Sequence, residues 1–582
     1  MRPTLSELGE YDGTALMEFK TKKEIIYRIK RETVCTYEMD DTPPFLINED
    51  ALDIGLEIGL LYGCTVVDEL HIARKQYLDG SIPTGFQRTA IFAVDGEIPF
   101  KDRKIQVVQI SIEEDSCREV SDIGHQRVYL TDRLGMPLIE TVTGPDMRNP
   151  IEVAEAAQIC RRLLRSTGKV RTGIGAARED VNVSVTGGTR IEIKGVPKIK
   201  KIPILTYNEA MRQWNLLRLR EELKKRGVTP ETFDANSDDI TKIVRSTNYL
   251  PINDAVEKEW LVKAVVLRKF SELLNWQTQT GTYFSKEISD RVRVIACLST
   301  IPNIIHSDGK GETLTSSEWQ KIKKAVNASD DDTIVIVWGD EMDTATAVNE
   351  IIIRAKEAAV GIPTETRQAL SDGTNGFERI LPGADRMYPD TDLPPKRIPK
   401  ERIDKIKSVL PEPVWNREKW YKELKIPADV INELSVSHFA DLFKYVVTEL
   451  KIDPILASIA LIQYPKRLKK KNRNPELLTI DVMKKIFKAL NEEKIVKDGV
   501  IHVMENYLIT GRLETDQVFE PAGNEEILFA KEQSVFEMEN IKLLKPENKQ
   551  ELLFGMVMDK LRGRVNGVDA LKKLDQISGE KK

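Results

Sequence analysis

The sequence predicts a multidomain α+β chain. A mixed-sheet domain carries an α/β insertion and is followed by an all-α helical domain and a small α-helical tail domain. Three observations lead there. The chain has 582 residues, more than one hydrophobic core accommodates. Within Gln106–Val196, three stretches (106–115, 136–142 and 178–194) alternate apolar residues with period two, the signature of half-buried strands. Near 260 the pattern changes to strands alternating with helices, and from about 400 helical periodicity takes over to the end. These shifts place domains at 1–260 with a continuation at 365–399, at 261–364, at 400–514 and at 515–582.

Composition narrows the class. Net charge is −5 and the isoelectric point about 5.9, so a global basic field for nucleic acid is absent and any RNA binding must use local patches. The five cysteines (Cys35, Cys64, Cys117, Cys160, Cys297) are scattered without a CxxC pair, which argues against a disulfide framework or a cysteine zinc site. The five histidines form no HExxH motif. No signal peptide or membrane-length apolar run is seen, so the cytoplasm is the expected compartment and no membrane partner is expected.

Taken in order, Lys20–Arg31 reads as a charged helix and Thr33–Met39 as a short strand. Asn48 caps a helix over Ala51–Gly63. Strands follow at Val66–His71, Arg74–Leu78 and Ala90–Val94, with Arg74, Lys75 and Arg88 as candidate anion ligands, although the pattern alone favours a solvated surface cation at each. Next come two strands that each carry a carboxylate. In Gln106–Asp115, alternation puts Val108, Ile110, Ile112 and Glu114 on one face and Glu113 on the other with Gln109 and Ser111. In Met136–Val142, Glu140 shares a face with Met136, Leu138 and Val142. A carboxylate on an apolar face must be neutralised, paired or bound to metal, and two on neighbouring strands suit a divalent cation.

A helix then runs from the cap Asn149 and Pro150 to Gly168, with Cys160 in its core stripe as a packed thiol. Arg171–Arg178 is a Gly-rich lead-in whose GxG lacks the third glycine and helix of a dinucleotide fingerprint. Arg178–Lys194 is a hairpin turning at Thr186–Thr189. One face carries Val181, Val183, Val185, Ile191 and Ile193. The other sets Asp180, Asn182 and Ser184 against Arg190, Glu192 and Lys194, which is either a solvated face or the floor of a phosphate or metal site.

Residues 205–235 and Glu259–Asn275 read as helical. The insertion then shows a strand at Val292–Cys297, a capping box at Thr315–Glu318, a strand at Thr333–Trp338 and a helix at Thr344–Val360. Pro382–Asp392 is a Pro-, Gly- and Asp-rich linker or site loop. Lys466–Arg473, including Lys469 and Lys470, is the strongest local basic run, and Lys560, Arg562 and Arg564 cluster at a helix end.

In combination, Ile112–Asp115, Arg133–Glu140, Asp180–Ser184, Gly187–Val196 and Leu381–Asp392 resemble the archaeal GatE branch of the GatB/GatE family, and the resemblance runs from about residue 2 to the C-terminus. It implies a cradle domain, an inserted GAD domain resembling part of aspartyl-tRNA synthetases, a helical domain and a tail. It also implies an ATP-dependent ligase that phosphorylates the glutamyl carboxylate of Glu-tRNA(Gln) and amidates it with ammonia. The ammonia would come from an asparaginase-like D subunit, in a heterotetramer of two D and two E. ATP and Mg2+ are the implied cofactors, with Glu114 and Glu140 matching the family's metal ligands. Arg88, Arg178, Asn182, Ser184, Glu192 and Lys194 are candidates for the ATP and acyl-phosphate pocket. Lys560, Arg562, Arg564, Lys469 and Lys470 are candidates for tRNA contacts.

The family's Gly-Leu-Glu-Ile-His strand, which supplies two further metal ligands, is expected ahead of Arg2 and is not in this sequence. Gly55–Gly59 mimics it but sits in a helix with glycine where histidine belongs, so no metal role passes to Glu57. The expectation is a chain short of a few tens of N-terminal residues. That keeps a second reading open, a non-catalytic tRNA-binding scaffold. A third, an aminoacyl-tRNA synthetase, lacks class II catalytic motifs outside the insertion.

Overall fold

The computed structural model describes residues 17–19, 21–77, 79–173, 175–380, 387–513, 523–539, 549–561, 565, 567–568 and 570–573. It is a mixed α+β structure with several sheets and a helical C-terminal region. Two compact units divide it: Met1–Arg161 with Arg171–Leu410, and Arg162–Val170 with Pro411–Lys582.

The first unit opens with strand β1 (Glu24–Arg28), where a helix is expected from the charge pattern. A parallel pairing with a later strand overrides the local pattern, and residues 31–40 form turns rather than a strand. Helix α1 (Glu49–Leu61) starts where Asn48 accepts from the Ala51 amide. Strands β2 (Thr65–Val66), β3 (Glu69–Leu70) and β4 (Ala73–Gln76) are short. Strands β5 (Phe86–Phe100) and β6 (Arg103–Glu114) make a long hairpin, turning at Lys101 with positive φ. Strands β7 (Arg118–Ile123) and β8 (Gln126–Leu130) join β1 in a small sheet, and β9 (Pro137–Thr143) closes one edge of the main sheet.

Two bulges shape that main sheet. Register slips between Val107 and Gln109 in β6 and between Ile91 and Ala93 in β5. The buried positions of β6 therefore switch from Ile105 and Val107 to Ile110 and Ile112, and Val108 is exposed instead of sharing their face. Helix α1 lies on this apolar face at close range. A Cβ at Gly55 would sit 2.7 Å from Phe92, and one at Gly59 3.1 Å from the Ala93 Cβ. The Gly55–Gly59 stretch is thus a helix–sheet contact.

Helix α2 (Pro150–Ser166) is capped by Asn149, as the sequence implies. Strands β10 (Glu179–Val183) and β11 (Ile191–Val196) form the expected hairpin, but the ladder ends at Val183 and Ile191. Ser184 and Arg190 fall in the connecting loop, because Gln213 accepts from the Val185 amide and donates to the Val183 carbonyl. Helix α3 (Ile202–Lys225), which supplies Gln213, covers the apolar face of this hairpin through Ile202 and Leu205.

Residues 235–360 form a three-layer block. Strand β12 (Ala235–Asp239), helix α4 (Leu250–Glu257), β13 (Leu261–Leu267), β14 (Gln277–Gln279), β15 (Thr282–Tyr283), helix α5 (Phe284–Ile295), β16 (Ile304–His306), helix α6 (Ser316–Ala325), β17 (Thr333–Gly339) and helix α7 (Glu341–Val360) follow in order. The antiparallel sheet runs β12-β13-β17-β16. Val262, Ala264, Ile334 and Ile336 face one apolar layer, while Val265, Leu267, Val335 and Val337 face another built on α3, α5 and α7. Both faces are covered, so Leu261–Leu267 is apolar at every position but Lys263 and shows no alternation, which explains why a helix is expected there and a strand is found. The reverse happens at Val292–Cys297, the end of α5, whose Ile288, Val292 and Ile295 have helical spacing. The capping box at Thr315 and Glu318 forms as expected.

Strands β18 (Glu365–Ala369) and β19 (Asn375–Ile380) return to the hairpin, giving the order β10-β11-β18-β19. Strand β20 (Met387–Pro389) pairs with β4 in the main sheet, β21 (Lys396–Arg397) pairs with β3, and helix α8 (Lys400–Lys407) follows. Leu381–Arg386 of the family-like motif lie outside the described residues.

The second unit is helical. Helices α9 (Val414–Glu423), α10 (Ala428–Leu434), α11 (Ala440–Thr448), α12 (Pro454–Lys470), α13 (Ile480–Asn491) and α14 (Val500–Thr510) share a core that includes Leu434, Phe443, Leu461 and Phe487. Helices α15 (Asn524–Glu539) and α16 (Lys549–Leu561) pack through Ile527, Val557 and Leu561.

Candidate functional site

The two expected metal carboxylates are on opposite faces of the main sheet. Register is continuous from Gln109 opposite Val142 to Glu114 opposite Pro137, so Ser111 faces Glu140 and the Glu113 side chain emerges beside it. Glu114 points the other way, toward the α1 side. There Arg88 grips it with a guanidinium fork, Nε to Oε2 at 3.0 Å, and also donates to the Phe45 carbonyl. Arg88 is buried and Glu114 nearly so. Two expectations are therefore corrected: Glu114 and Glu140 cannot share one ion, and Arg88 is a carboxylate's partner instead of a phosphate ligand. The expected alternation was right for Glu114 and wrong only in assigning Glu140 to its side.

The face holding Glu140 is polar. The Ser111 hydroxyl donates to Glu140 at 3.3 Å, and Lys75 lies 3.8 Å from Glu113. Burial of its carboxylate, then the charge of Glu113, raises the Glu140 pKa, while Lys75 pulls it back and Asp180 adds to the rise. The side chain keeps solvent access because β9 is an edge strand.

The second sheet contributes a matching polar face. Asp180 sits at a bulge opening β10 and accepts from the Gly195 amide at 2.7 Å. Glu192 and Lys194 alternate out of the apolar side of β11. Glu378 occupies a bulge of β19, its pKa raised by burial and by Asp180 and Glu192 against Arg379 and Lys194. Its Oε2 is buried without a hydrogen-bond partner. Arg379 bonds Asp79 at 3.0 Å and lies over Tyr77. Asp180 senses both Glu140 and Glu378 and so joins the two faces electrostatically.

Five carboxylates (Glu113, Glu140, Asp180, Glu192, Glu378) thus meet three cations (Lys75, Lys194, Arg379), one already committed to Asp79. Hard oxygen donors with surplus negative charge and an orphaned buried oxygen suit a hard divalent cation. Two lysines alongside suit phosphate oxygens.

The remaining candidates scatter. Arg178 donates to Asp115 at 3.1 Å, and Arg133 lies 3.4 Å from the same carboxylate. Arg74 is clamped by Asp390 and Asp392, which gives the Pro389–Asp392 run a structural task. Asn182 and Ser184 are exposed. In the second unit, Lys466 pairs with Glu433 and Lys471 with Glu505 at 2.8 Å, whereas Lys469 and Lys470 stay exposed. Lys560 is 2.7 Å from Glu537; Arg562 and Arg564 lie outside the described residues. Sequence reasoning passed over Glu378 as a site residue, since a bulge hides its face.

Residues 19–404 match a family model for the GatB/GatE catalytic domain. Over 97% of its length and 90% of theirs, the chain is 38% identical to the E-type subunit of the glutamyl-tRNA(Gln) amidotransferase of Methanocaldococcus jannaschii and 36% identical to that of Saccharolobus solfataricus. At the same coverage it is 34% identical to that of Methanococcus maripaludis. Among the described residues no helix is long and apolar enough to cross a membrane.

Proposed function

The chain belongs to the GatB/GatE family, as an E-type subunit of glutamyl-tRNA(Gln) amidotransferases, and from that premise we propose that its paired polar faces form the carboxylate-activating centre. ATP donates its γ-phosphoryl group to the side-chain carboxylate of glutamate carried by tRNA(Gln), and ADP leaves. Ammonia then attacks the acyl carbon, and inorganic phosphate departs with the oxygen, leaving Gln-tRNA(Gln). The observation that carries this reading is the surplus of carboxylates over cations at Glu113, Glu140, Asp180, Glu192 and Glu378.

Magnesium, when bound, supplies charge neutralisation and alignment for phosphoryl transfer. Glu113 and Glu140, with Asp180 and Glu378 beside them, would hold it. Lys75 and Lys194 orient phosphate oxygens from the two faces, and Arg379, fixed by Asp79, keeps the floor rigid. Asn182, Ser184 and Arg178 stand at the rim, where nucleotide or acceptor-end contacts are made. Lys469, Lys470 and Lys560 provide local positive charge for tRNA phosphates in an otherwise acidic chain, with Arg562 and Arg564 assigned the same task.

The layout follows the cradle, GAD-like insertion, helical and tail domains of the family. The ammonia donor is an asparaginase-like D subunit in a complex of two D and two E, working in the cytoplasm. The test supplies ammonium chloride as nitrogen source and measures ATP-dependent amidation of Glu-tRNA(Gln). Glu140→Gln should cut phosphoryl transfer by about 10²–10³-fold while tRNA affinity stays near wild type. Salt-dependent tRNA binding by the wild-type chain with no ATP turnover would refute the centre and favour a scaffold.

A further inference from the structure

A concavity of about 470 Å3 opens between helix α3 and the segment before and through β14. Tyr207, Met211 and Arg218 line it from α3, and Trp276, Gln277 and Thr280 from the other side. None of these residues belongs to the polar faces described above. We propose that this pocket receives an unpaired nucleotide of the RNA substrate, its base against Tyr207 and Trp276 and its phosphate at Arg218. The proposal rests on the amidotransferase reading only for the identity of that RNA.

The walls are built before any guest arrives. The Trp276 indole N–H donates to the Asn215 carbonyl at 2.9 Å, and the Asn215 amide donates to the Thr278 carbonyl at 3.1 Å. Thr280 donates to Asn208 at 2.8 Å, and Gln279 donates to the Asn375 carbonyl at 2.8 Å. These donors are spent on holding β14 and its flanks to α3 and β19, so what the pocket offers a guest is aromatic surface and one cation.

Tyr207 is 49% exposed on a helix whose other faces are packed, and Trp214 one turn beyond Met211 is 54% exposed. Arg218 lies 5.7 Å from the Trp276 ring and has no ion-pair partner among the described residues. No carboxylate lines the pocket. Flat π-surface next to an unpaired guanidinium is the combination by which proteins hold extruded bases. A peptide would need partners for its backbone amides, and the polar side chains here are already engaged.

The experiment compares wild type, Tyr207→Ala, Arg218→Ala and Arg218→Lys. Affinity for a tRNA(Gln) transcript is read by filter binding across salt concentrations, and kcat and KM for Glu-tRNA(Gln) are read with ATP and ammonium chloride. Tyr207 and Arg218 are exposed, so thermal melting should match wild type. The expected result is about a tenfold rise in tRNA Kd and KM for either alanine variant with kcat unchanged. Arg218→Ala should also lower the salt slope by about one counterion, Tyr207→Ala should not, and Arg218→Lys should keep the slope and recover part of the affinity. Wild-type Kd and KM in both alanine variants would overturn the proposal. So would intact tRNA binding with weakened capture of the D subunit, which would make the pocket a protein interface. A wild-type chain that binds tRNA but never amidates it would refute the catalytic reading, while a weaker Kd in the variants would still support this site.

Discussion

Two places in the first unit crowd glutamates together, and they differ in their accounts of charge. At the junction of α3, α5, α7 and β18, Arg212, Arg354 and Arg367 meet Glu209, Glu287 and Glu365, three against three. All six side chains are at most 2% exposed. Arg212 forks onto Glu287 with both bonds at 2.8 Å. Its three arginines hold the Glu287 carboxyl well below the usual range in spite of burial, although burial still pushes its neighbour Glu209 up. On the facing polar sheets, five carboxylates share three cations, and Glu140 and Glu378 are pushed up instead. A balanced cluster neutralises its own charge and serves the fold, even with Glu209, Glu365 and Arg354 atoms left without hydrogen bonds. An unbalanced one asks for a cation from outside, and that is the mark of a site.

The largest effect should come from breaking the balance. Glu287→Gln leaves three buried guanidiniums with two carboxylates and should cost about 3–5 kcal/mol in the transition that unfolds the first unit. Its folded pKa is depressed, so Glu287 contributes stability that is present above the ordinary carboxylate range and lost as pH falls through the folded value. Denaturant unfolding of wild type and variant at neutral and acid pH checks both points: the gap between them should narrow in acid.

In the unbalanced cluster the same substitution should act on rate instead. Glu140→Gln should lower kcat by about 10²–10³-fold without loss of melting temperature, since it relieves repulsion from Glu113. A pH profile sharpens the contrast further. Because the Glu140 pKa is raised in the metal-free chain, protons compete with magnesium for this carboxylate at a higher pH than for an ordinary glutamate, and the magnesium midpoint should climb correspondingly early as pH falls. Glu113→Gln removes a like charge, so in whatever activity remains that climb should begin at lower pH; an unmoved onset would disconnect Glu140 from it.

The smallest effect concerns a third cluster, small and half-exposed. His125, in the turn between β7 and β8, lies 2.9 Å from Asp343 at the start of α7, and the carboxylate raises the imidazole pKa against the effect of burial. A raised histidine stabilises the fold below its ordinary pKa, and this contribution disappears as pH rises through the folded value. With the imidazole 41% exposed, His125→Asn should cost at most about 0.5 kcal/mol in mild acid and nothing in mild alkali. Melting curves at the two pH values measure it.

Much of this contrast could not be read from the chain. Alternation correctly set Glu113 and Glu114 on opposite sides, because β6 is regular from Gln109 onward. It could not say which side Glu140 would join, since that depends on the pairing register of β9, a tertiary fact. The bulges that expose Val108 and hide the facing of Glu378 are likewise invisible to a strict period of two. Caps were legible because they are local: Asn48, Asn149 and Thr315 all start helices where the sequence places them. The insertion's strand and helix at Leu261–Leu267 and Val292–Ile295 were exchanged in the reading because a strand covered on both faces loses its alternation. The balanced network was missed entirely, its six members being spread from residue 209 to 367.

The most direct measurement is magnesium activation of ATP-dependent amidation in Glu113→Gln and Glu114→Gln, side by side with ammonium chloride as nitrogen source. If the site is the unbalanced face, Glu113→Gln raises the magnesium midpoint and lowers kcat while melting as wild type does. Glu114→Gln then keeps the midpoint and loses stability, because Arg88 is left buried without its carboxylate. A shifted midpoint in Glu114→Gln with Glu113→Gln indistinguishable from wild type would contradict it and return the metal to the α1 side of the sheet.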